Sequence, residues 1–159
     1  MNPCPCGWLG DPSGRCACTP DQVARYRSRV SGPLFDRIDL SLDVPSLPSA
    51  ELVANDAHEE APRMSAAVRE RVIAARSRQV TRQGKPNARL GPREIEAHCM
   101  PGATGAALIA QAMARLSLSA RAYHRILKVA RTVADLAGSR AIAAPHIAEA
   151  VAYRRFDRM

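Results

Sequence analysis

Apolar and polar positions follow two different patterns in the two parts of this chain. In LFDRIDLSLDV at 34–44, apolar residues alternate with polar ones over 38–44, which predicts a half-buried β-strand. Before it, TPD at 19–21 supplies an N-cap residue, a proline for the first helical turn and an acidic side chain. We therefore predict a helix over 20–30, which SGP at 31–33 ends.

Residues 45–62 interrupt both patterns. They are rich in proline, alanine and acidic residues without a period, which predicts a linker or loop. From residue 63 the apolar spacing is helical to the end of the chain, with Ser119 as an N-cap residue and Gly84 and Gly138 as helix-ending glycines. The predicted helices span 65–83, 92–99, 103–116, 120–137 and 144–154.

These elements predict the fold class. Five helices in the second part of the chain indicate a compact helical bundle, and an aromatic content of only 4% suits such a core. Residues 1–44, with one helix and one strand, are typical of a piece of an α/β unit. We therefore expect a mainly α fold, in which a C-terminal helical bundle is preceded by a remnant of an α/β core.

The apolar runs of this sequence are too short for a membrane span, which needs about 18 consecutive residues. The first residues also lack the charged and apolar regions of a secretory signal. We expect a cytoplasmic protein with no membrane partner.

Charge is distributed unevenly. The net charge is +8, but residues 1–62 sum to −4 and residues 63–159 to +12. Basic helices most often present a solvated face, and binding of phosphate or nucleic acid is the functional alternative. Composition alone leaves both open.

Four cysteines lie close together near the start, with the spacing C-x-C-x9-C-x-C. Two close pairs, Cys4 with Cys6 and Cys16 with Cys18, suit a tetrahedral zinc ion, and four thiolates would make a closed, structural site. Disulfides, or reduced or redox-active thiols, are the alternatives. Cys99 stands apart, and we expect it to be a small core residue.

Residues 118–138 form an amphipathic helix when placed at 100° per residue. Arg121, Arg125 and Lys128 fall on one side, flanked by His124 and Arg131. Because Arg121 lies in the first turn, where the helix dipole disfavours a cation, it suits contact with a bound phosphate. The predicted core side holds Tyr123, Ile126, Leu127, Ala130, Val133, Ala134 and Ala137.

Three stretches together resemble a known family. MNPCPCG at 1–7, SGPLFDRIDL at 31–40 and LSARAYHRILKVARTVADL at 118–136 are similar to the C-terminal portion of Mg-chelatase-like AAA+ ATPases of the ComM/YifB competence type. That family is related to the ATPase subunit of magnesium chelatase and, more distantly, to MCM helicases.

The resemblance divides the chain into three parts. It implies the end of an AAA+ core with a Cys-rich insertion over 1–44, a linker over 45–62 and a helical lid over 63–159.

The resemblance also implies roles for individual residues. Asn2 matches the sensor-1 asparagine, which orients the attacking water near the γ-phosphate. Arg37 matches the arginine finger, which reaches the nucleotide of a neighbouring subunit. Arg121 matches the sensor-2 arginine of the lid, which contacts the γ-phosphate in cis or in trans.

The sequence departs from the family's pattern in one respect. It contains no G-x-x-x-x-G-K-[ST] motif and no Walker B strand, and neither Lys85 nor Lys128 follows a glycine-rich turn. We therefore expect the chain to be the later part of a longer ATPase, and to hydrolyse no ATP by itself. The resemblance implies ATP and Mg²⁺ as cofactors of that parent protein, a hexameric ring of its copies, and DNA as its partner.

Two other functions remain open at this point. One is a small zinc-containing protein that binds nucleic acid through basic helices, with Arg125 and Lys128 among the contacts. The other is a helical adaptor that binds no ligand and whose basic face only increases solubility.

Overall fold

Seven α-helices and one 3-10 turn make up the computed structural model, which describes residues 2–35, 37–42, 44 and 57–154. No β-strand occurs among these described residues, so the mainly α prediction is confirmed. The helices are α1 Pro20–Arg27, α2 Gly32–Phe35, α3 Ala57–Gln83, α4 Pro92–His98, α5 Ala103–Leu116, α6 Ala120–Leu136 and α7 Ala144–Ala152, with the 3-10 turn at Asn87–Arg89.

Several helix ends lie where the sequence predicted them. The hydroxyl of Thr19 accepts a hydrogen bond from the Gln22 amide, and the hydroxyl of Ser119 accepts one from the Ala122 amide, at 3.3 and 3.2 Å. Helix α5 begins and ends as predicted, at Ala103 and Leu116. Side-chain capping is a local effect, so these ends follow from short stretches of sequence.

Helix α3 begins earlier than predicted. It starts at Ala57 rather than at residue 65, so residues 57–62 of the predicted linker are helical. The alanine and glutamate residues of this stretch have high helix propensity, which extends the helix. The rest of the linker, 45–56, lies outside the described residues. Helix α1 is shorter than predicted and ends at Arg27.

The strand predicted over 38–44 is wrong for the residues that the structure describes there. Residues 37–42 and 44 form no strand, and the apolar side chains that were expected to be half-buried are largely exposed, up to 88% for Val44. A strand needs a neighbouring strand to pair its backbone amides and carbonyls, and the described part of this chain supplies none.

Helix α6 lies at the centre of the bundle. It packs against α7, α3, α4 and the 3-10 turn, and α7 also packs against α5. Cys99 belongs to this core and is fully buried, as predicted. Ala137, in contrast, is exposed, because the helix ends before it and it serves as the C-cap residue. The core consists of Leu90, Ile95, Cys99, Ile109, Ile126, Leu127, Ala130, Ala134, Ile142, Ile147 and Ala150.

A buried polar network joins α3, the 3-10 turn and α6 around one carboxylate. Asp135 is 1% exposed and accepts hydrogen bonds from Arg82 at 2.7 and 3.0 Å and from Asn87 at 2.8 Å. Arg131 forms an ion pair with it at 3.1 Å. The sequence placed Arg131 beside the solvated basic side of α6, but it is 3% exposed; Asp135 balances its charge, and the Ser139 and Arg140 carbonyls accept its hydrogen bonds.

Helices α5 and α7 approach each other closely at Gly105. A Cβ atom at this position would lie 2.7 Å from Cβ of Pro101 and 3.4 Å from a side-chain carbon of Ile147. Glycine therefore permits the close approach of Pro101 to the first turn of α5, with Ile147 of α7 beside it. Among the described residues, no helix combines the length and apolarity that crossing a bilayer requires.

Candidate nucleotide-facing site and cysteine cluster

The first two turns of α6 form one wall of a basic pocket of about 280 Å³. Arg121, His124, Arg125 and Lys128 follow each other at intervals of three, one and three residues, which brings them to one side of the helix. The side of α6 that the sequence predicted to be basic therefore lines this pocket, and His124 lies in it as well. The other lining residues are Asp39, Ala88, Leu90, Pro92 and Ile95.

Arg121 has the position that suits an anion contact. It lies in the first turn of α6, and it is exposed. The positive end of the helix dipole and the neighbouring Lys128 side chain favour negative charge at this place, although Asp39, paired with Arg125, also lines the pocket. Lys128, at the far end of the pocket, donates a hydrogen bond to the Ala88 carbonyl at 3.3 Å.

The segment that contains Arg37 contacts the same helix. Arg125 Nη1 donates a hydrogen bond to the backbone carbonyl of Arg37 at 2.8 Å and forms an ion pair with the carboxylate of Asp39. Arg125 was a candidate for nucleic-acid contact, but Nη1 of its guanidinium is engaged within the chain. The side chain of Arg37 is exposed. The structure thus brings the candidate finger segment and the candidate sensor-2 helix together.

The four cysteines of the N-terminal loop converge. Their sulfur atoms all lie within 4.8 Å of one another. The Sγ atom of Cys4 lies 3.3 Å from that of Cys6 and 3.8 Å from that of Cys16, and the Sγ atoms of Cys6 and Cys16 are 3.7 Å apart. Four sulfurs at about 2.3 Å from a zinc ion in a tetrahedron would be about 3.8 Å apart. The donor set and its spacing therefore fit a structural zinc ion.

The thiols of this cluster differ in acidity. Burial raises the pKa of Cys4, but hydrogen bonds with Cys6 and with the backbone at Leu9 outweigh it and lower the pKa to about 6. A backbone hydrogen bond at Cys6 lowers the pKa of Cys18, but the Cys6 side chain, burial and the charge of Cys4 outweigh it and raise the pKa to about 12. Cys4 is therefore a ready thiolate ligand.

Backbone turns bring the two cysteine pairs together. The Gly7 amide donates a hydrogen bond to the Cys4 carbonyl at 3.1 Å, and Gly7 has φ of +84°, a conformation that favours glycine. Arg27 of α1 donates a hydrogen bond from Nε to the Pro3 carbonyl at 3.2 Å, which ties α1 to the loop. Arg15 lies over the ring of Trp8, 4.8 Å from its centroid.

Asn2 lies on this loop. It is exposed, and a Cβ atom at Gly7 would meet its side-chain nitrogen at 3.4 Å. The described lining of the basic pocket includes Arg121 but neither Asn2 nor Arg37. Of the three residues assigned to nucleotide chemistry, only Arg121 lines this pocket.

Family models account for most of the chain. The model described as magnesium chelatase, subunit ChlI C-terminal, matches residues 62–154, and the model described as magnesium chelatase, subunit ChlI, matches residues 1–52. The chain belongs to the magnesium chelatase ChlI family. In this ChlI-family chain, α4 to α7 and most of α3 lie within the C-terminal match, and the cysteine cluster and Arg37 lie within the other.

Individual relatives confirm the resemblance to the ComM/YifB type. Over all 159 residues, this ChlI-family chain is 45% identical to the competence protein ComM of Haemophilus influenzae and 45% identical to the uncharacterized protein YifB of Salmonella typhimurium. It is 44% identical to YifB of Escherichia coli, also over its whole length. The chain spans 30% of the length of each of these curated relatives.

Sequence reasoning missed two residues of this ChlI-family site. Asp39 lines the basic pocket and pairs with Arg125, and Arg154, which is 2% exposed, donates a hydrogen bond to the backbone carbonyl of Ile38. Asp39 was one of the polar positions in the alternating stretch, and its partner lies 86 positions away. No local pattern could have paired them.

Proposed function

We propose that this chain is the sensor and lid portion of a Mg-chelatase-like AAA+ ATPase, and that the whole protein is an ATP-driven motor that acts on DNA. The basic pocket at the start of α6, with Arg121 in the first helical turn, supports this function best. The membership of the ChlI family supports ATP and Mg²⁺ as cofactors of the whole protein.

In this proposal, each arginine has a distinct task. Arg121 contacts the γ-phosphate from the lid, and Arg37 reaches the nucleotide bound to a neighbouring copy. Phosphoryl transfer is accelerated mainly by positioning and by cations near the developing charge, and a guanidinium supplies a fixed charge with paired donors. Asn2 orients the attacking water. Residues 1–44 and 63–159 act as the end of the core and as the lid, joined by residues 45–62, of which 57–62 begin α3.

The test is ATP hydrolysis by the proposed longer ATPase with single substitutions. Arg37→Ala is expected to lower kcat by about 10³-fold, the lower range for loss of an arginine finger, with KM nearly unchanged. Arg121→Ala is expected to lower kcat and also to raise KM for ATP, because it removes a contact with bound nucleotide.

The matched control is Arg115→Gln, because Arg115 is an exposed arginine of α5 outside the pocket lining. It should leave both kinetic constants unchanged. The proposal is wrong if the longer protein, tested with and without DNA, hydrolyses no ATP, or if both substitutions behave like the control.

We also propose that Cys4, Cys6, Cys16 and Cys18 bind one Zn²⁺ that holds the N-terminal loop. The convergence of the four sulfurs within 4.8 Å supports this site. Purified chain is expected to contain about one zinc per molecule by elemental analysis. Cys4→Ser should lose the zinc, whereas Cys99→Ser, which alters the buried core cysteine, should retain it. A wild-type chain that takes up no zinc under reducing conditions would refute the site.

The proposal has three further parts. The whole protein acts on DNA, its copies form a hexameric ring, and it is located in the cytoplasm. The name of the ComM relative, a competence protein, supports a role in DNA uptake or recombination. The charge of +12 on residues 63–159 supports contact with a polyanion.

The same charge favours a second candidate, in which this chain binds nucleic acid by itself. In that case Arg121, Lys128 and the exposed arginines of α3 supply the contacts, because Arg125 is paired with Asp39. Titration of the 159-residue chain with labelled DNA at low salt separates the two functions. If the chain binds DNA in a salt-sensitive way and Lys128→Gln weakens that binding, the second candidate is supported. If the chain binds no DNA, contact with DNA belongs to the whole motor.

A further inference from the structure

We propose that Arg125 is a positioning residue for Arg37, and that it joins the candidate finger segment to the lid helix that bears Arg121. This inference rests on the proposed function, since it concerns how the finger is aimed. Arg125 itself contacts no nucleotide in this proposal. It acts through the backbone carbonyl of Arg37 and the side chain of Asp39, two residues further along the segment.

Arg125 contacts two residues of that segment, Arg37 and Asp39. One nitrogen, Nη1, donates to the Arg37 carbonyl at 2.8 Å and also contacts the Asp39 carboxylate. The side chain of Arg125 is 23% exposed, and that of Asp39 is 56% exposed. The pair is therefore partly shielded, and it fixes the backbone on both sides of Ile38.

Residues at the end of α7 provide a second attachment. The guanidinium of Arg154, which is 2% exposed, donates a hydrogen bond to the Ile38 carbonyl. The Ser41 amide donates to the Tyr153 carbonyl at 3.0 Å. Residues 37–42 have no strand pairing within the described chain, so contacts with α6 and the end of α7 define the path of this segment.

The position of Arg125 along α6 gives this attachment a mechanical consequence. Arg121 lies one turn before Arg125 on the same helix, so the two side chains move together when the helix moves. A movement of α6 that brings Arg121 to a phosphate also moves the backbone at Arg37. Nucleotide contact in one subunit would thereby alter the finger that the same subunit presents to its neighbour.

The experiment measures ATP hydrolysis by the longer ATPase with Arg125→Gln, Arg125→Lys and Asp39→Asn, with Arg115→Gln as the control. Arg125→Gln is expected to lower kcat about 10-fold or more, since misplacement of about 1 Å can cost 10²-fold, and to leave KM for ATP within about twofold. Arg125→Lys should recover part of this loss, because an ammonium can still pair with Asp39.

Subunit mixing separates positioning from a merely structural role. Subunits with Arg125→Gln are mixed with subunits that have an inactivated nucleotide site but an intact Arg37. The nucleotide site of the Arg125→Gln subunit should regain activity, because its neighbour supplies the intact Arg37. Arg37→Ala subunits should show the same recovery. A general loss of folding would instead lower activity in every mixture.

Asp39→Asn keeps the test valid if Arg125→Gln fails to fold, because Asp39 is mostly exposed. It should lower kcat in the same direction. Hydrogen exchange in the 159-residue chain measures the attachment without any ATPase activity. Exchange at the Ser41 amide should become faster in both variants but not in Arg115→Gln.

The outcomes are distinct. If Arg37→Ala impairs hydrolysis while Arg125→Gln and Asp39→Asn match the control, the positioning role is wrong and the proposed function stands. A raised KM with unchanged kcat for Arg125→Gln also overturns it, because that result indicates direct nucleotide contact. If Arg37→Ala itself has no effect, the finger assignment fails and this inference fails with it.

Discussion

At the scale of single residues, Asp135 is the side chain on which most of the buried polar structure depends. It joins α6 to α3 through Arg82 and to the 3-10 turn through Asn87, and it neutralises Arg131. Removing one partner of such a group leaves buried charge without compensation, which costs more than the pair contributes by itself.

We expect Asp135→Asn to lower the free energy of unfolding at pH 7 by about 3–5 kcal/mol, the range for breaking a buried ion pair. The measurement is urea denaturation of the 159-residue chain. The control is Glu96→Gln on the exposed surface of α4, which should change stability by less than about 0.5 kcal/mol. Equal stability of the two variants would contradict the structural role of the network.

The same carboxylate predicts a pH dependence. Burial raises the pKa of Asp135, but hydrogen bonds from Arg82 and Asn87 and the charge of Arg131 outweigh it, and the folded-state pKa lies below the usual value. A lowered folded-state pKa means that this stabilisation is complete above the usual aspartate pKa of about 4 and is lost as pH falls through the folded-state value. Asp135→Asn should flatten the decline in stability over that acid range.

At the scale of elements, α6 has three kinds of surface along one helix. Apolar residues face the core, the first two turns face the basic pocket, and the last turn holds the polar network. Contacts on every side explain why this helix is central to the bundle. The packing of α5 on α7 is a separate contact, and Gly105 at the start of α5 leaves room there for Pro101.

We expect Gly105→Ala to destabilise the bundle by about 1 kcal/mol net. The added methyl group would lie 2.7 Å from the rigid ring of Pro101. Such overpacking costs about 1–3 kcal/mol, and this cost outweighs the gain of about 1 kcal/mol in helix propensity. Thermal unfolding followed by circular dichroism checks it. Thr104→Ala, at the exposed neighbouring position, should leave the midpoint almost unchanged.

At the scale of the whole molecule, the cysteine loop and the bundle are held together by different forces. The substantial helix–helix contacts of the described chain all involve α3 to α7 and the 3-10 turn, and none involves α1 or α2. The loop depends instead on its four converging thiols. The two parts should therefore respond separately to metal removal.

Chelation of zinc is expected to change the fluorescence of Trp8, the single tryptophan, which lies on the cysteine loop with Arg15 over its ring. The thermal transition of the helical bundle, followed at 222 nm, should stay within about 2 °C. Simultaneous loss of both signals at one chelator concentration would show that the bundle depends on the metal. Added Zn²⁺ should restore the fluorescence.

Much of the fold and part of the site follow from local sequence. Ser119 begins α6 because its hydroxyl caps a nearby amide, and α5 ends as predicted. The C-x-C pairs are close enough in sequence for turns to join them, so their convergence was predictable. The pairing of Arg125 with Asp39 was not, because it depends on how residues 37–42 cross α6.

Local sequence predicts most of the helices, the ends of several of them, and the residues of the basic side of α6 and of the cysteine cluster, but not the short helix α2 or the first residues of α3. These features depend on periodicity, capping and spacing, which act over a few residues. The burial of Arg131, the absence of a strand at residues 37–42 and the contact of Arg125 with the Arg37 carbonyl follow from the folded structure alone. Each depends on partners distant in sequence or on the packing of whole helices, and no local pattern specifies these.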